Sequence, residues 1–175
     1  CRRSLCSPDP AGMRDSWESW VPNLHANLVF IVQNGSVLLI HKKRGLGAGK
    51  LNGPGGKLEP GETAMEAAVR EAQEELCITP LDLIELGWLH FDFTDGLKLH
   101  CTVFRGESFD GTPTETEEAR PEWFGIDAIP FDRMWADDIH WLPGLIAGRK
   151  FAAWFEFDGE TMLSRRIDWI NAPDQ

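Results

Sequence analysis

Residues 56–78 read GKLEPGETAMEAAVREAQEELCI, and this stretch decides both the fold and the chemistry of the chain. It predicts a helix from residue 62 to about residue 77, because Thr63 can act as the N-cap and Glu66 can complete a capping box. Apolar residues recur at helical spacing along one narrow face, which we expect to pack on the core. That face comprises Met65, Ala68, Val69, Ala72 and Leu76.

The predicted helix also carries a run of acidic residues. At about 100° per residue, Glu71 and Glu75 stack one turn apart and Glu74 lies beside them. Like charges at this spacing destabilise a bare helix, whereas clustered carboxylate oxygens are the ligands that Mg²⁺ or Mn²⁺ requires. A bound cation would turn the repulsion into coordination. Taken alone, such a run of residues more often indicates a solvated acidic face, and the cation site depends on the residues around it.

A glycine-rich loop precedes the helix, and strands flank both. Residues 44–56 (RGLGAGKLNGPGG) contain six glycines and a proline, which indicates an irregular loop whose backbone conformation matters. A second helix is predicted at residues 137–147. Strands with tight turns between them are predicted at residues 26–33, 36–42, 83–93, 97–105, 122–124, 151–157 and 162–169. This pattern indicates an α/β fold in which a mixed β-sheet is sandwiched between α-helices.

The length and net charge of the chain exclude some classes of function. A chain of 175 residues is about one domain long, and no apolar run reaches the roughly 18 residues of a membrane span. The formal charge of −11 argues against a nucleic acid polymer as partner, because phosphate-backbone affinity comes mostly from Lys and Arg. Residues 1–23 predict a flexible tail without a signal-peptide apolar segment, followed by one domain over residues 24–175. We therefore expect a cytoplasmic protein, and we expect it to be a monomer.

The cysteines and histidines show no ligand pattern. Cys1, Cys6, Cys77 and Cys101 lack the spacing of a zinc site, and the last two fall in apolar stretches that predict buried thiols. The five histidines show no pairing typical of metal ligands, so we interpret each as structural or exposed.

The helix and its flanks match a known signature. Gly56, Glu62 and residues 70–78 (REAQEELCI) stand at fixed spacing, and this spacing resembles the signature of the Nudix (MutT) superfamily. Cys77 departs from it, because the signature has glycine there. The resemblance implies a Nudix fold and cation-dependent hydrolysis of a nucleoside diphosphate linked to another moiety. If the backbone of Cys77 is left-handed, some strain is expected.

The resemblance also implies roles for the motif residues. It makes the Gly55 carbonyl, Glu71 and Glu75 ligands of Mg²⁺ or Mn²⁺, with Glu74 supporting them. Arg70 would orient a motif glutamate by pairing with it. Together Arg70, Glu71, Glu74 and Glu75 would be the catalytic group, and which glutamate acts as the base stays open.

Over residues 23–162 the chain is similar to the animal MutT homologues that sanitise the nucleotide pool. These Nudix enzymes, the 8-oxo-dGTP diphosphatases, hydrolyse oxidised purine nucleoside triphosphates and so prevent DNA damage. The similarity lies in residues 42–49 (KKRGLGAG), 51–57 (LNGPGGK), 111–124 (GTPTETEEARPEWF) and 134–141 (MWADDIHW). In the third stretch Glu118 matches a distal metal ligand. Glu117 is the competing candidate, and we prefer Glu118.

The same resemblance implies a base pocket. Asn52 would meet the purine edge, Trp135 and Trp141 would form aromatic walls, and Asp137 with Asp138 would read the Watson–Crick edge. Two adjacent carboxylates in a dry pocket cannot both ionise readily, so one should keep a proton. The other implied substrate-binding residues are Asn27, Lys42, Phe91 and Phe93. The residues themselves leave alternatives open: a helix N-cap for the aspartates, and plain core for the two phenylalanines.

The expected reaction is therefore hydrolysis of (d)NTPs to (d)NMP and pyrophosphate. Leu46 and Ala119 stand where the animal enzymes have different side chains, and we expect them to widen the pocket. Discrimination for the oxidised base should then be weaker, with activity on ordinary nucleotides such as GTP. The alternatives are a Nudix pyrophosphatase for dinucleotide polyphosphates or nucleotide sugars, and a catalytically inactive nucleotide sensor.

Overall fold

The computed structural model describes residues 17–170. The helices are α1 (Ala64–Leu76) and α2 (Asp138–Ile146). The strands are β1 (Leu24–Gln33), β2 (Ser36–Lys42), β3 (Leu51–Asn52), β4 (Ile78–Pro80), β5 (Ile84–Phe93), β6 (Lys98–Gly106), β7 (Phe109–Gly111), β8 (Ala119–Gly125), β9 (Lys150–Asp158) and β10 (Thr161–Ile170).

Most of the strands within residues 17–170 form one mixed sheet. Its order is β10-β9-β5-β6-β1-β2-β3, and β8 also pairs with β2. The β1–β6 and β5–β9 pairs are parallel, and β1 and β2 are joined by the predicted Asn34-Gly35 turn, in which both residues have positive φ. β8 is longer than the predicted strand at residues 122–124, because it pairs along the whole of β2.

The two helices cover opposite faces of the sheet. Successive side chains of β1 alternate between the faces, so Val29 and Ile31 pack with Ala68 and Leu76 of α1. Phe30 points to the other face and packs with Trp141 of α2. The predicted α/β sandwich is confirmed, and the Nudix motif is thereby held rigidly against one face of the sheet.

Helix α1 begins as predicted but buries a slightly different face. Thr63 and Glu66 make both hydrogen bonds of the capping box. The buried apolar residues are Ala67, Ala68, Ala72 and Leu76. The prediction that Met65 packs on the core is wrong, since this side chain is 40% exposed in the first turn, and Val69 is only half-buried.

The predictions for the two cysteines of the domain have different outcomes. Cys101 is buried as predicted, but Cys77 is exposed. Cys77 ends α1 with a φ of 61°, and its N–H donates to the carbonyls of Ala72 and Gln73. It occupies the left-handed conformation that a helix-ending glycine usually adopts, which places its side chain outside the core. A non-glycine residue is strained there, as expected for this conformation.

The packed part of the chain begins before residue 24. Trp20 meets His90 edge-on at 5.6 Å between ring centroids, and Asn23 donates from its backbone to Lys98 O at 2.8 Å. The predicted flexible tail therefore does not extend over residues 17–23, and residues 1–16 lie outside the described range. Neither α1 nor α2 has the length and apolarity that a bilayer crossing requires.

A row of rings crosses the α1 face of the sheet. His25, His100, His90 and Trp154 occupy paired positions on β1, β6, β5 and β9, and His90 stacks on Trp154 at 5.1 Å. The His90 and His100 rings are 4.9 Å apart. Burial lowers the pKa of His90, and it lowers the pKa of His100 to about 4, so both rings are neutral at physiological pH.

We expect acid to destabilise the fold through His100. An unfolded histidine titrates near 6.5, whereas the folded pKa is about 4, so the unfolded state binds more protons between these values. The contribution of neutral His100 to the free energy of unfolding is complete above about pH 6.5 and is lost as the pH falls towards 4. His100→Gln should therefore flatten the pH dependence of the free energy of unfolding, measured by urea denaturation. His140→Gln, at a less buried ring, should change it little; equal slopes for wild type and His100→Gln would contradict the assignment.

Candidate active site

The glycine-rich loop lies unusually close to β1 and to α1. Asn27 donates to Gly56 O from its backbone at 2.9 Å and from its side chain at 3.2 Å. A β-carbon on Gly55 would collide with the backbone oxygen of Asn27, and one on Gly56 would lie 2.5 Å from the carboxyl carbon of Glu71. These two glycines are required by close approach, which brings the loop backbone directly beside the acidic face of α1.

Three carboxylates from two distant segments meet there. Oxygens of Glu71, Glu75 and Glu118 all lie within 4.8 Å of one another. Glu118 arrives on the loop that follows β7, which is tied to α1 by a 2.8 Å bond from Thr116 Oγ1 to Glu75 O. The backbone N–H of Lys43 donates to Glu118 O at 3.0 Å and fixes the other side of the loop. This geometry favours Glu118 over Glu117 as the distal acidic residue.

Burial disfavours the ionised form of the Glu71 and Glu75 carboxylates in the absence of a cation. Burial raises the pKa of Glu75 to about 8, even though the Gly55 N–H donates to its carboxylate at 3.2 Å. The pKa of Glu71 is also raised, chiefly by burial and partly by its acidic neighbours. Three converging carboxylates in a partly dry site can hold a hard divalent cation, whose charge would stabilise their ionised forms.

Arg70 organises the acidic residues around this cluster. Its guanidinium donates to both carboxylate oxygens of Glu62, at 2.7 and 2.9 Å, and this lowers the pKa of Glu62 to about 2. It also donates to Glu71 at 2.9 Å and to Glu74 at 3.1 Å. Arg70 thus holds the Glu71 carboxylate by a hydrogen bond, while the same carboxylate belongs to the three-carboxylate cluster. Glu74 is half-exposed, and its carboxylate accepts a hydrogen bond from Arg70.

A cavity of about 410 Å³ extends from these carboxylates into the sheet. Glu71, Glu75 and Gly55 line one part of it, and Leu46 lines its wall as expected. Eight of the predicted substrate-binding residues line it: Asn27, Lys42, Asn52, Phe91, Phe93, Trp135, Asp137 and Asp138. Four apolar residues of the lining were not predicted: Leu24, Leu89, Leu97 and Leu99. For Leu24, Leu89 and Leu99, the alternation of side chains along β1, β5 and β6 is the signal that could have found them.

Polar atoms without partners face this cavity in an otherwise apolar setting. Asp137 and Asp138 are 1% and 3% exposed, and one oxygen of each has no hydrogen-bond partner among residues 17–170. The same is true of the side-chain oxygen of Asn27. Since buried polar groups are nearly always paired, this arrangement points to a ligand that supplies the missing partners.

The two aspartates differ in ionisation. Burial raises the pKa of both, and the charge of Asp137 raises that of Asp138 further. Asp137 accepts from Trp141 Nε1 at 2.8 Å, which favours its ionised form, so Asp138 holds the proton. The pair therefore offers one donor and one acceptor. Asp137 stands at the N-cap position of α2, as the helix N-cap alternative predicts, but its side chain makes no capping hydrogen bond.

Two predictions about the pocket need correction. Trp141 is not a cavity wall: it is fully buried in the core behind Asp137, and one helical turn after it, so it orients that carboxylate instead. Ala119 does not widen the cavity either, since it is buried in the cluster beneath α1. Both residues belong to segments that resemble the animal enzymes, but in the structure their side chains are buried in the two core clusters.

The family profile of the NUDIX domain matches residues 22–145. This chain belongs to the Nudix family. It is 46% identical over 147 residues to a protein of Danio rerio named oxidized purine nucleoside triphosphate hydrolase, covering 82% of this chain and 93% of that one. The Mus musculus protein of the same name is 44% identical, with 81% and 94% covered. Among solved structures, the mutator MutT protein of Bacillus halodurans is 26% identical, with a TM-score of 0.74 over 83% of this chain and 97% of that one.

The close approach of Gly56 in this Nudix motif can be tested by adding one methyl group. Gly56→Ala should displace the Glu71 carboxylate and weaken cation binding by about tenfold or more, because the new β-carbon would overlap it. Cation-dependent thermal stabilisation at increasing Mn²⁺ measures this. Gly125→Ala is the matched control, since its β-carbon would meet no atom within 4 Å. Equal Mn²⁺ affinity for both variants would contradict the proposed packing role.

Proposed function

We propose that this Nudix protein hydrolyses purine nucleoside triphosphates, including oxidised ones such as 8-oxo-dGTP, to the monophosphate and pyrophosphate. The observation that carries the proposal is a cavity whose lining includes both Glu71 and Glu75 of the three-carboxylate cluster and the buried pair Asp137 and Asp138. The names of the Danio rerio and Mus musculus relatives support the same substrate class.

The carboxylate end suits a polyphosphate only in the presence of cations. Glu71, Glu75, Glu118 and the Gly55 carbonyl would hold Mg²⁺ or Mn²⁺, which neutralises phosphate charge and acidifies a water when bound. Water adds across the phosphoanhydride bond between the α- and β-phosphates: its hydroxide joins one phosphorus and its proton goes to the departing phosphate, so the products are the nucleoside monophosphate and pyrophosphate. Arg70 keeps Glu71 oriented for this, and Lys42 places a positive charge on the cavity wall. The base is one of the motif glutamates.

The other end suits a purine. Asp138 can donate its proton to a purine O6, and Asp137 can accept from a ring N–H. The side-chain oxygen of Asn52 accepts from Gly53 N at 2.9 Å, which directs its amide NH₂ towards a ligand. Trp135 can stack on the base while Phe91 and Phe93 supply apolar walls. Exchange of the proton between the aspartates would let one pocket read both 8-oxo-guanine and 2-hydroxy-adenine.

The site is complete within one chain, which supports action as a monomer. A cytoplasmic nucleotide pool would supply the substrate. Nudix pyrophosphatases for dinucleotide polyphosphates or nucleotide sugars remain the main alternative, and the aspartate pair favours a purine triphosphate over them. An inactive sensor is disfavoured because Glu71, Glu74 and Glu75 are all present.

A hydrolysis panel tests the proposal directly. It compares 8-oxo-dGTP, dGTP, GTP, ATP and a dinucleotide polyphosphate with Mg²⁺ and with Mn²⁺, and quantifies monophosphate and pyrophosphate. We expect pyrophosphate from the purine triphosphates and measurable turnover of GTP, because the exposed Leu46 leaves the pocket wall open. Release of orthophosphate, or turnover confined to the dinucleotide polyphosphate, would refute the proposal.

Glu75→Gln should abolish turnover while preserving the fold. We expect kcat to fall by about a hundredfold or more, because a neutral amide is a poor ligand for a hard cation. Without cation the variant should be no less stable than wild type in thermal unfolding, since a buried carboxylate that is repelled by its neighbours is removed. Glu117→Gln is the control on the neighbouring loop and should keep wild-type kcat. Near-normal turnover by Glu75→Gln would exclude Glu75 as a cation ligand.

The two aspartates should respond differently to amide substitution. Asp138→Asn keeps a donor in place of the protonated acid, whereas Asp137→Asn removes the charged acceptor. We therefore expect KM for 8-oxo-dGTP to rise about tenfold or more in Asp137→Asn and less in Asp138→Asn. Steady-state kinetics with dCTP as the comparison substrate measures selectivity. An equal loss on dCTP would show that the pair does not read the purine.

A further inference from the structure

Trp135 is braced by two phenylalanine rings and by a glycine that lies close to it. The rings of Phe93 and Phe157 meet it edge-on, at 6.1 and 5.6 Å between centroids. Gly47 lies so close that a β-carbon there would be 2.7 Å from the indole nitrogen. These contacts restrict the ring to one orientation, with the remaining surface lining the cavity.

A cation lies over the same indole. The ammonium of Lys50 is 5.5 Å from the Trp135 ring centroid, and Lys50 is absent from the described residues that line the cavity. The ammonium therefore makes a cation–π contact with an indole that itself lines the cavity.

Both the backbone and the side-chain ammonium of Lys50 are held by neighbouring residues. Its backbone N–H donates to Gly47 O at 2.9 Å, and its carbonyl accepts from Lys42 N at 3.1 Å. Its ammonium lies 3.6 Å from a carboxylate oxygen of Glu160, in the turn between β9 and β10. The side chain is only 21% exposed, so it has few other places to go.

We propose that Lys50 is a positioning residue that sets purine affinity by holding the indole of Trp135 through a cation–π contact. This inference rests on the proposed function, because it needs a purine in the cavity. Lys50 acts on the ring of Trp135 and not on the exocyclic groups of the base. It therefore strengthens the binding of normal and oxidised purines alike, and leaves the choice between them to Asp137 and Asp138.

The charge of Lys50 could in principle act through the aspartate pair instead. Its positive charge lowers the pKa of Asp138, which opposes the protonated form that a donor requires. Removing Lys50 would thus leave Asp138 more firmly protonated. If Lys50 acted only through the aspartates, its removal would therefore strengthen purine binding. A loss of purine affinity in a Lys50 variant thus indicates an effect through Trp135.

The test measures the Kd of dGMP and 8-oxo-dGMP by calorimetry, without divalent cation, and KM and kcat for 8-oxo-dGTP. Lys50→Met should weaken both monophosphates by the same factor, about two- to fivefold, and raise KM accordingly with kcat unchanged. Lys50→Arg should restore wild-type values, since a guanidinium also lies well over an indole. Lys150→Met is the matched control, because Lys150 lies 5.2 Å from the ring of Trp88, and neither residue lines the cavity.

The possible outcomes distinguish a failure of the role of Lys50 from a failure of the proposed function. Wild-type affinity in Lys50→Met, an equal loss in Lys150→Met, a loss confined to one of the two purines, or failure of Lys50→Arg to restore binding would overturn the role of Lys50. In those cases the wild-type protein still binds purines and the proposed function stands. If the wild-type protein neither binds the monophosphates nor hydrolyses purine triphosphates, the proposed function fails and the role of Lys50 fails with it.

Discussion

Mutual repulsion among Glu71, Glu75 and Glu118 is the constraint around which the rest of the domain is arranged. Their oxygens converge within 4.8 Å, and burial raises the pKa of Glu75 to about 8. Such a cluster is unfavourable unless packing holds its backbone and a cation satisfies its charge. The apolar face of α1 supplies the packing. Arg70 and the loop bond from Thr116 supply the orientation, so the fold maintains a site that is completed by a divalent cation.

The central strands connect this charged site to a dry pocket. Alternation along β1 sends Val29 towards α1 and Phe30 towards α2, so one strand contributes to the cores on both faces. On α2, Trp141 is buried one turn after Asp137 and holds its carboxylate with an indole N–H. The core thus decides which aspartate stays ionised. Under the proposed function, the carboxylate cluster and the aspartate pair are positioned by the same sheet, so one cavity would bind the two parts of a nucleotide.

Sequence reasoning succeeded where the signal was local or carried by a resemblance. The capping box of α1 and the Asn34-Gly35 turn were predicted from short patterns, and eight of nine expected pocket residues line the cavity. It failed where packing overrode periodicity. Met65 has the right spacing but lies in the exposed first turn, and Cys77 lies in an apolar stretch but ends α1 in a left-handed conformation. Trp141 and Ala119 are in the matching segments, yet their side chains face the core.

The sequence by itself determined that Glu71 and Glu75 share a helix face, since the helical repeat places residues four apart on the same side. It also determined the family to which the motif belongs. Only the tertiary structure decided between Glu118 and Glu117 as the third member of the cluster, buried Asp137 and Asp138 side by side, and placed the ammonium of Lys50 over the ring of Trp135. Each of these depends on contacts between residues distant in the chain, or on the water that burial removes. Local periodicity carries no information about either.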